Sequence, residues 1–414
     1  MTAVVNSIRI RIVSTAIVHI VFDRYYALSI KSACRSSRER GYSRVFKLQE
    51  HSPLPAQGMV LNVIDNKKQV IALICDRLNG TSFPKDQKVI VTGLNPQPIE
   101  LGLGPQIIEL RHEEADVSIV YHLLQEASQG NSPITVLSED TDVLALLLHH
   151  VHALICNSPS PIKVRMQSFS SGRSIIDVNE TIQQHAAIIP NLLAAHAITG
   201  CDTVSSISGI GKSTVLKKLK NFKEELQLGD ANSSFDAILK STCKFVTTLY
   251  GRNPDDDWST LRATIFARKM AGKQHVVPKL CSLPPTLSTF KLHCQRAHFQ
   301  TAIWKSAGMP DPPSMDPLEY GWDVDGDLLR ATLIPSHTLI APDELLKLVC
   351  CNCTTACKSA MCSCSKSRMS CTEFCKCKGE VSCLNPLTIS PTFEDSDADE
   401  VEQQDDDECE SDSM

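Results

Sequence analysis

The sequence predicts an α/β core, followed by a small metal-stabilised cysteine-rich module and a disordered acidic tail. Three observations carry that reading. Short apolar runs with strand character end in acidic residues and give way to helical patterns. Ten of the eighteen cysteines fall between Cys350 and Cys383. Residues 394–412 hold twelve acids and no base, so the net charge of −6 conceals a body carrying about +6.

Residues 1–17 form a poorly defined N-terminus. The segment IRIRIVSTAIVHIVF, from Ile8 to Phe22, has basic Arg9 and Arg11 ahead of an apolar run, as a signal peptide does. It flows into FDRYY without a small-residue cleavage site, so it is predicted to be a strand entering the core, with Asp23 just beyond it. No uninterrupted apolar run reaches the eighteen or so residues that a membrane span needs. After Asp23, the bases Lys31, Arg35, Arg38 and Arg40 follow in a helix-compatible run whose one acid is Glu39. Lys31 and Arg38 are seven apart and share a helical face.

HEEAD at 112–116 opens the helical pattern ADVSIVYHLLQEA, whose N-terminal dipole favours Glu114 and Asp116. PITVL at 133–137 reads as a buried strand and Val143 to Leu148 as the helix after it. Asp140 and Asp142 then occupy the turn at the carboxyl end of a strand, where open α/β sheets bind ligands. Asp202 follows the helical run NLLAAHAITG. Each acid alone is equally a solvated helix cap. Brought together, they are oxygen ligands of the kind that hard cations such as Mg2+ require.

SGIGKSTVLKKLK at 208–220 lacks the first glycine of a phosphate loop, because Ser206 stands in that position, so no nucleotide cofactor is expected. It reads instead as a glycine hairpin, Gly209 to Gly211, able to approach a DNA phosphate beside Lys212, Lys217, Lys218 and Lys220. Residues 221–345 are expected to be a mainly helical extension and connector, with the helical part ending at PDPPSMDP. DVDGDLLR at 323–330 fails as a calcium loop for want of Gly at the sixth position, leaving Asp325-Gly326 as a hairpin turn. His293, Cys294 and His298 read as packing residues of one helix.

The cysteines Cys351, Cys353, Cys357, Cys362, Cys364, Cys371, Cys375, Cys377 and Cys383 define a module at 346–386. Its C-x-C pairs are too tight to bridge as disulfides and suit shared tetrahedral zinc. With almost no apolar core, the module should not fold without metal. The interleaved Lys358, Lys366, Arg368, Lys376 and Lys378 suit phosphate contact. A purely structural or protein-binding cluster stays open beside that reading. Residues 387–414 are expected to be disordered, acting as a solvated chain, as a protein contact, or as a competitor of nucleic acid for the basic body.

In order and context these stations resemble the flap-endonuclease branch of the PIN-like nucleases over residues 18–220. The motifs are VFD at 21–23, the acidic pair opening a helix, SEDTDVL at 138–144, and TGCDT at 199–203 before a GIG hairpin. The resemblance implies a Rossmann-like PIN core. It implies a pair of Mg2+ or Mn2+ ions held by Glu114, Asp116, Asp140, Asp142 and Asp202, with Asp23 a nearby ligand or water-orienting group. Lys31 and Arg38 match the arch-helix bases that steer the scissile phosphate, and Arg35 lies between them. The cysteine array, closing on Cys383-Leu384-Asn385, resembles the CXC domain of the tesmin and TSO-one group. That likeness implies about three zinc ions with three bridging thiolates, and contact with DNA, although Met361 replaces an aromatic residue usual there.

More narrowly, FDRYYALSIKSACRSSR, DTDVLALLLHH, HAITGCDTVSSISGIGK and LPPTLSTFKLHCQRAHFQTAIW resemble a group of animal proteins linked to mobile elements. The implied function is a nuclear, metal-dependent DNA nuclease; the alternative is a decayed nuclease fold serving as a non-enzymatic DNA-binding or scaffold protein. One departure is clear: the nucleases carry a further Asp on their first strand, and residues 1–22 hold no acid. Either the chain begins late or the site lacks one ligand.

Overall fold

A computed structural model describes residues 2–12, 15–38, 44–49, 53, 55–105, 108–157, 162–169, 175–270, 282–333, 350–353, 357, 362–366, 370–372, 375–379 and 383–385. The chain divides into two units, Met1–Ile334 and Pro335–Met414.

The first unit begins with helix α1 (Thr2–Ile12), where the sequence pattern suggests strand. Arg9 and Arg11 lie in its last turn, favourably placed on the dipole, and Gln87 Nε2 donates to Ile12 O (2.6 Å) and Thr15 O (2.7 Å) just beyond. The strand is confined to β1 (Ile17–Val21). The basic run forms α2 (Ser32–Arg38), followed by α3 (Gln57–Leu61) and α4 (Ile64–Asn79). The chain then returns as β2 (Lys88–Thr92), parallel to β1 with His19 opposite Ile90. Two short strands extend the sheet: β3 (Ile99–Glu100) pairs antiparallel with β2, and β4 (Gly104–Pro105) pairs antiparallel with β3.

A second small sheet starts after α5 (Ala115–Ser128). Strand β5 (Ile134–Leu137) leads into α6 (Thr141–Asn157) and pairs in parallel with β6 (Val164–Gln167), Val136 facing Met166. β7 (Ile176–Asp177) closes that sheet antiparallel. The parallel pairs and their helical crossovers therefore lie in two sheets, of four and three strands. The helices α7 (Val178–His185), α8 (Ile189–Ile198) and α9 (Lys212–Leu219) follow.

Helix outweighs strand, 47% to 11%, so the core is chiefly helix against helix. α8 is apolar nearly all round, as a helix enclosed on every side must be; Leu193, Ala197 and Ile198 are fully buried. It packs with α6, α9 and the later helix α12 (Leu287–Lys305). Helix α10 (Phe235–Leu249) joins the same apolar cluster, and α11 (Trp258–Met270), which packs on α10, buries Leu261 and Ile265 in a small cluster of its own. The helical extension thus shares one apolar core with the residues before it: Leu146, Leu193, Phe245, Phe290 and Trp304 belong to the same cluster. A hairpin of β8 (Trp322–Asp325) and β9 (Leu328–Ala331) ends the unit. Its turn residues are Gly326 and Asp327, one position later than the sequence suggests, with Gly326 at φ 60° supplying the positive dihedral such turns need.

The described part of the second unit contains one helical turn, α13 (Ser363–Lys366), set among buried cysteines. The acidic run 394–412 lies outside the described residues.

Two glycines test how tightly α12 is seated. Gly229 (φ +73°) lies against α12, and a Cβ there would stand 2.8 Å from the backbone carbon of Thr301, whereas Gly209 (φ +76°) faces open space. Gly229→Ala should cost about 1–3 kcal/mol for the clash beyond the conformational penalty of about 1 kcal/mol that both positions share. Urea unfolding of the two variants measures the difference; equal losses would show that the backbone at Thr301 yields freely.

Candidate functional site

The carboxylates of the first unit are positioned by element ends. Pairing of β1 with β2 continues through Phe22 N to Thr92 O (2.9 Å), and Arg24 N bonds Glu113 O (2.9 Å), tying the strand exit to the start of α5. Asp23 Oδ1 accepts the amide of Ala115 at 2.9 Å and so caps α5 from outside the helix, where the dipole favours an anion. Glu114 is the N-cap residue of that helix and Asp116 lies in its first turn. Asp140 sits between β5 and α6, and its Oδ1 accepts the Asp142 amide at 2.8 Å. Asp202 lies in a tight loop after α8, crossed by a Cys201–Val204 bridge. That loop needs Gly200: φ is +116°, and a Cβ would stand 2.6 Å from Ser206 Cα.

Lys31 sits among these groups. Its side chain is buried, with Nζ 3.4 Å from Glu114 Oε2 and 3.8 Å from Asp202 Oδ2. Burial alone would weaken its hold on a proton; the carboxylates of Glu114, Asp116, Asp23 and Asp202 outweigh that and raise its pKa strongly. Asp116 shows the converse. Its pKa is pushed up to about 8 by burial first, and by Glu114, Asp140 and Asp23, against the downward pull of Lys31. For Asp142 burial acts upward, but His196, with Nε2 2.7 Å from Oδ1, holds the net value below the usual range. The stations at 23, 114, 116 and 202 thus face one ammonium, with Asp140 beside Asp116 and Asp142 beside Asp140.

Among the described residues, groups of three or more metal-ligating atoms within 4.8 Å of one another are built of cysteines only. The carboxylates stand further apart, as like charges gathered about an internal cation do. The predicted bases are placed variously. Arg35 is buried and paired with Glu113, whose Oε1 also accepts from Ser29 Oγ at 2.9 Å. Arg38 ends α2, and its side chain lies outside the described residues. Lys212 Nζ turns back onto the end of α8, donating to His196 O (2.8 Å), Thr199 Oγ1 (3.1 Å) and Gly200 O (2.5 Å). Lys217 is exposed and Lys218 half-buried on α9, and Gly209 and Gly211 are exposed in the turn before it. His293 Nε2 bonds Ile198 O (2.7 Å), while His298 Nδ1 accepts from Gly229 N (2.9 Å), both as packing residues.

Sequence reasoning passed over four residues. His196 holds Asp142. Gln300 Nε2 donates to Glu114 Oε1 at 3.1 Å, Trp304 Nε1 reaches Glu114 Oε2 at 3.4 Å, and Thr203 Oγ1 donates to Gln300 Oε1 at 2.6 Å. The available signal was the i, i+4 spacing of Gln300 and Trp304, which sets them on one helical face.

In the second unit, Cys351, Cys357, Cys362, Cys364, Cys371, Cys375 and Cys383 are buried, with Cys353 and Cys377 packed beside them. Sulfur approaches run from 3.4 Å (Cys364–Cys375) to 3.9 Å (Cys362–Cys371), and Cys351 lies 3.7–3.8 Å from Cys357, Cys371 and Cys377. A disulfide needs about 2.05 Å. A tetrahedral ion with bonds of about 2.3 Å spaces its sulfurs about 3.8 Å apart. The cluster can therefore hold metal such as zinc. Amide donors are already in place, from Thr372 N to Cys375 Sγ (3.4 Å) and from the buried Asn385 Nδ2 to Cys371 Sγ (3.3 Å). Lys366, Lys376 and Lys378 are exposed around it, whereas Lys358, Met361 and Arg368 lie outside the described residues. Comparison with protein-family models, curated proteins and solved structures gives no match. Among the described residues, no helix is long and apolar enough to cross a membrane.

Asp116 makes the metal-free protein sensitive to pH. Its folded pKa of about 8 stands above the ordinary 3.8, so the folded state retains a proton that the unfolded chain has released. Its contribution to stability is present below pH 3.8 and is lost as the pH rises toward 8. Buried histidines such as His122, driven by burial down to about 3, act in the opposite sense at acid pH. The difference between wild type and Asp116→Asn isolates the carboxyl: denaturant midpoints across that range should fall with rising pH only in the wild type's excess over the variant. Parallel curves would remove the perturbed carboxyl.

Proposed function

We propose that this chain is a divalent-metal-dependent DNA nuclease with a Rossmann-like PIN core of the flap-endonuclease type. A CXC module contacts DNA or a protein partner, and the protein works in the nucleus. The supporting observation is the convergence of six carboxylates, from the ends of β1, α5, β5, α6 and α8, on the surroundings of one buried lysine. Glu114, Asp116, Asp140, Asp142 and Asp202 would hold a pair of Mg2+ or Mn2+ ions, with Asp23 ordering the mouth of α5. The donor set fits: these are hard oxygens, and Lys31 already stands as a positive charge in their midst. When bound, such ions activate water and neutralise charge in phosphodiester hydrolysis. Lys31, freed from Glu114 and Asp202, would meet the scissile phosphate, and Arg38, seven residues on, would complete that contact. Gly209, Gly211, Lys217 and Lys218 would follow the DNA backbone beyond the cleaved bond.

The cysteine distances support about three zinc ions. Cys351, Cys357 and Cys371 each recur among the four-sulfur groupings: Cys351 with Cys353, Cys357 and Cys362; with Cys364, Cys371 and Cys375; and with Cys357, Cys371 and Cys377. If Cys351, Cys357 and Cys371 each bridge two ions, and Cys383, beside Cys377 (3.7 Å), takes the place of Cys351 in the last grouping, nine cysteines fill the twelve positions of three tetrahedral ions. A second reading, a non-enzymatic DNA-binding or scaffold protein, is favoured by the spread of the carboxylates around Lys31.

Cleavage decides between them. Full-length protein with Mg2+ or Mn2+ should cut at least one of single-stranded, duplex or flap DNA, and Asp140→Asn with Asp142→Asn should lower the rate by about a thousandfold or more. Equal residual activity in both proteins would mark contamination and support the non-enzymatic reading. Elemental analysis of reduced protein should find about three zinc ions per chain, with Cys351→Ser releasing more metal than Cys353→Ser. Equal loss from the two variants would exclude Cys351 as a shared ligand.

A further inference from the structure

Helix α12 lies outside the stretch that resembles nucleases, yet it reaches three of the acidic stations. Gln300 and Trp304 are each about 1% exposed, one turn apart, and face Glu114 together, one donor to each carboxylate oxygen. Gln300 does more than donate: its Oε1 accepts from Thr203 Oγ1 at 2.6 Å, and Thr203 is the neighbour of Asp202. The indole of Trp304 lies against the imidazole of His196, centroids 5.6 Å apart, and His196 bonds Asp142. We propose that Gln300 and Trp304 are positioning residues, a brace that sets Glu114 directly, Asp202 through Thr203 and Asp142 through His196, for divalent-cation binding.

This inference rests on the metal-binding reading of the carboxylates and adds to it residues that no acidic motif contains. Gln300 and Trp304 offer N–H groups where they meet Glu114, so they act through the carboxylate's orientation and not as ligands. A buried Glu114 without them would have rotamers to choose among, and its oxygens would lose donors that hold them while the site awaits a cation. The brace is itself fixed. His150 Nε2 bonds Trp304 O at 2.8 Å, Lys305 Nζ bonds Leu228 O at 2.8 Å, and Gly229 abuts the backbone at Thr301. Because α12 is seated against α6 and the 228–229 loop, its two side chains have a rigid base, which a positioning element requires.

The test uses the full chain and Mn2+ as the probe, with affinity read by electron paramagnetic resonance of the free ion and stability by thermal melting without metal. Gln300→Leu and Trp304→Phe should each weaken Mn2+ binding by about tenfold or more, the scale of outer-shell losses at metal sites. Thr203→Val should move it in the same direction by less. In a Glu114→Gln background, Gln300→Leu should add no more than Thr203→Val does in the wild type, since only the route through Thr203 and Asp202 remains. A lowered melting temperature with unchanged Mn2+ affinity would reduce Gln300 and Trp304 to ordinary core residues and overturn the brace. If Gln300→Leu does not fold, Thr203→Val still reads the bridge from its far end, and unchanged affinity there also overturns it. Wild-type protein that binds Mn2+ while the variants bind it equally well removes only the brace; wild-type protein that binds none removes the metal reading itself, and the brace with it.

Discussion

Six carboxylates cannot share one corner of a protein unless positive charge and hydrogen-bond donors are delivered to them there. Lys31 supplies the charge, and its placement governs much of what surrounds it. An ammonium taken out of water is tolerated only beside anions, and anions gathered this closely are tolerated only beside a cation. Glu114 carries the tightest constraint, because it is buried at the mouth of α5 and contacts the lysine, an indole and a carboxamide together. Asp116, in the first turn of the same helix, is buried beside further carboxylates and holds its proton well above the usual range. The neighbouring Arg35–Glu113 pair repeats the arrangement on a smaller scale, with burial raising the Glu113 pKa against the pull of the guanidinium.

How much of this was legible in the sequence follows from the distance over which each feature is determined. Asp140 and Asp142 could be placed on a strand-to-helix turn because PITVL and the apolar run after it are local patterns, and they form β5 and α6. Glu114 and Asp116 were legible for the same reason. The first strand was misjudged in its early part: alternating isoleucines and arginines over residues 8–12 suit either period, and the bonds from Gln87 that accompany the helix come from 72 to 75 residues away. Beyond the i, i+4 spacing of Gln300 and Trp304, nothing local marked these two or His196, since their partners lie 186, 190 and 54 residues distant. Arg35 and Lys212 were visible as bases, but the groups they meet, a carboxylate at 113 and the carbonyls ending α8, depend on tertiary structure.

The second unit inverts that relation. Nine of its cysteines, Cys351 to Cys383, lie within 33 residues of sequence, and their spacing anticipates a shared cluster of sulfurs. Ordinary domains bury aliphatic side chains to offset the entropy of ordering the chain. Here the buried cluster is made of thiols, with Asn385 turned inward to donate to one of them. Gly379, at φ +63°, lets the chain pass so close to Cys371 that a Cβ would stand 2.5 Å from its carbonyl oxygen. Compactness here depends on sulfur and on a bare backbone where a larger domain would use leucine and phenylalanine.

The contacts between α12 and Glu114 also have a consequence for biosynthesis. A ribosome delivers the strand exit at Asp23, both acidic turns and the Asp202 loop long before it delivers Gln300 and Trp304. Until α12 has emerged and docked, Glu114 has neither of those partners and Leu146, Leu193 and Phe245 lack one wall of their core. The site is therefore completed late in translation, and a nascent chain stalled before residue 300 would display the acids without the helix that organises them.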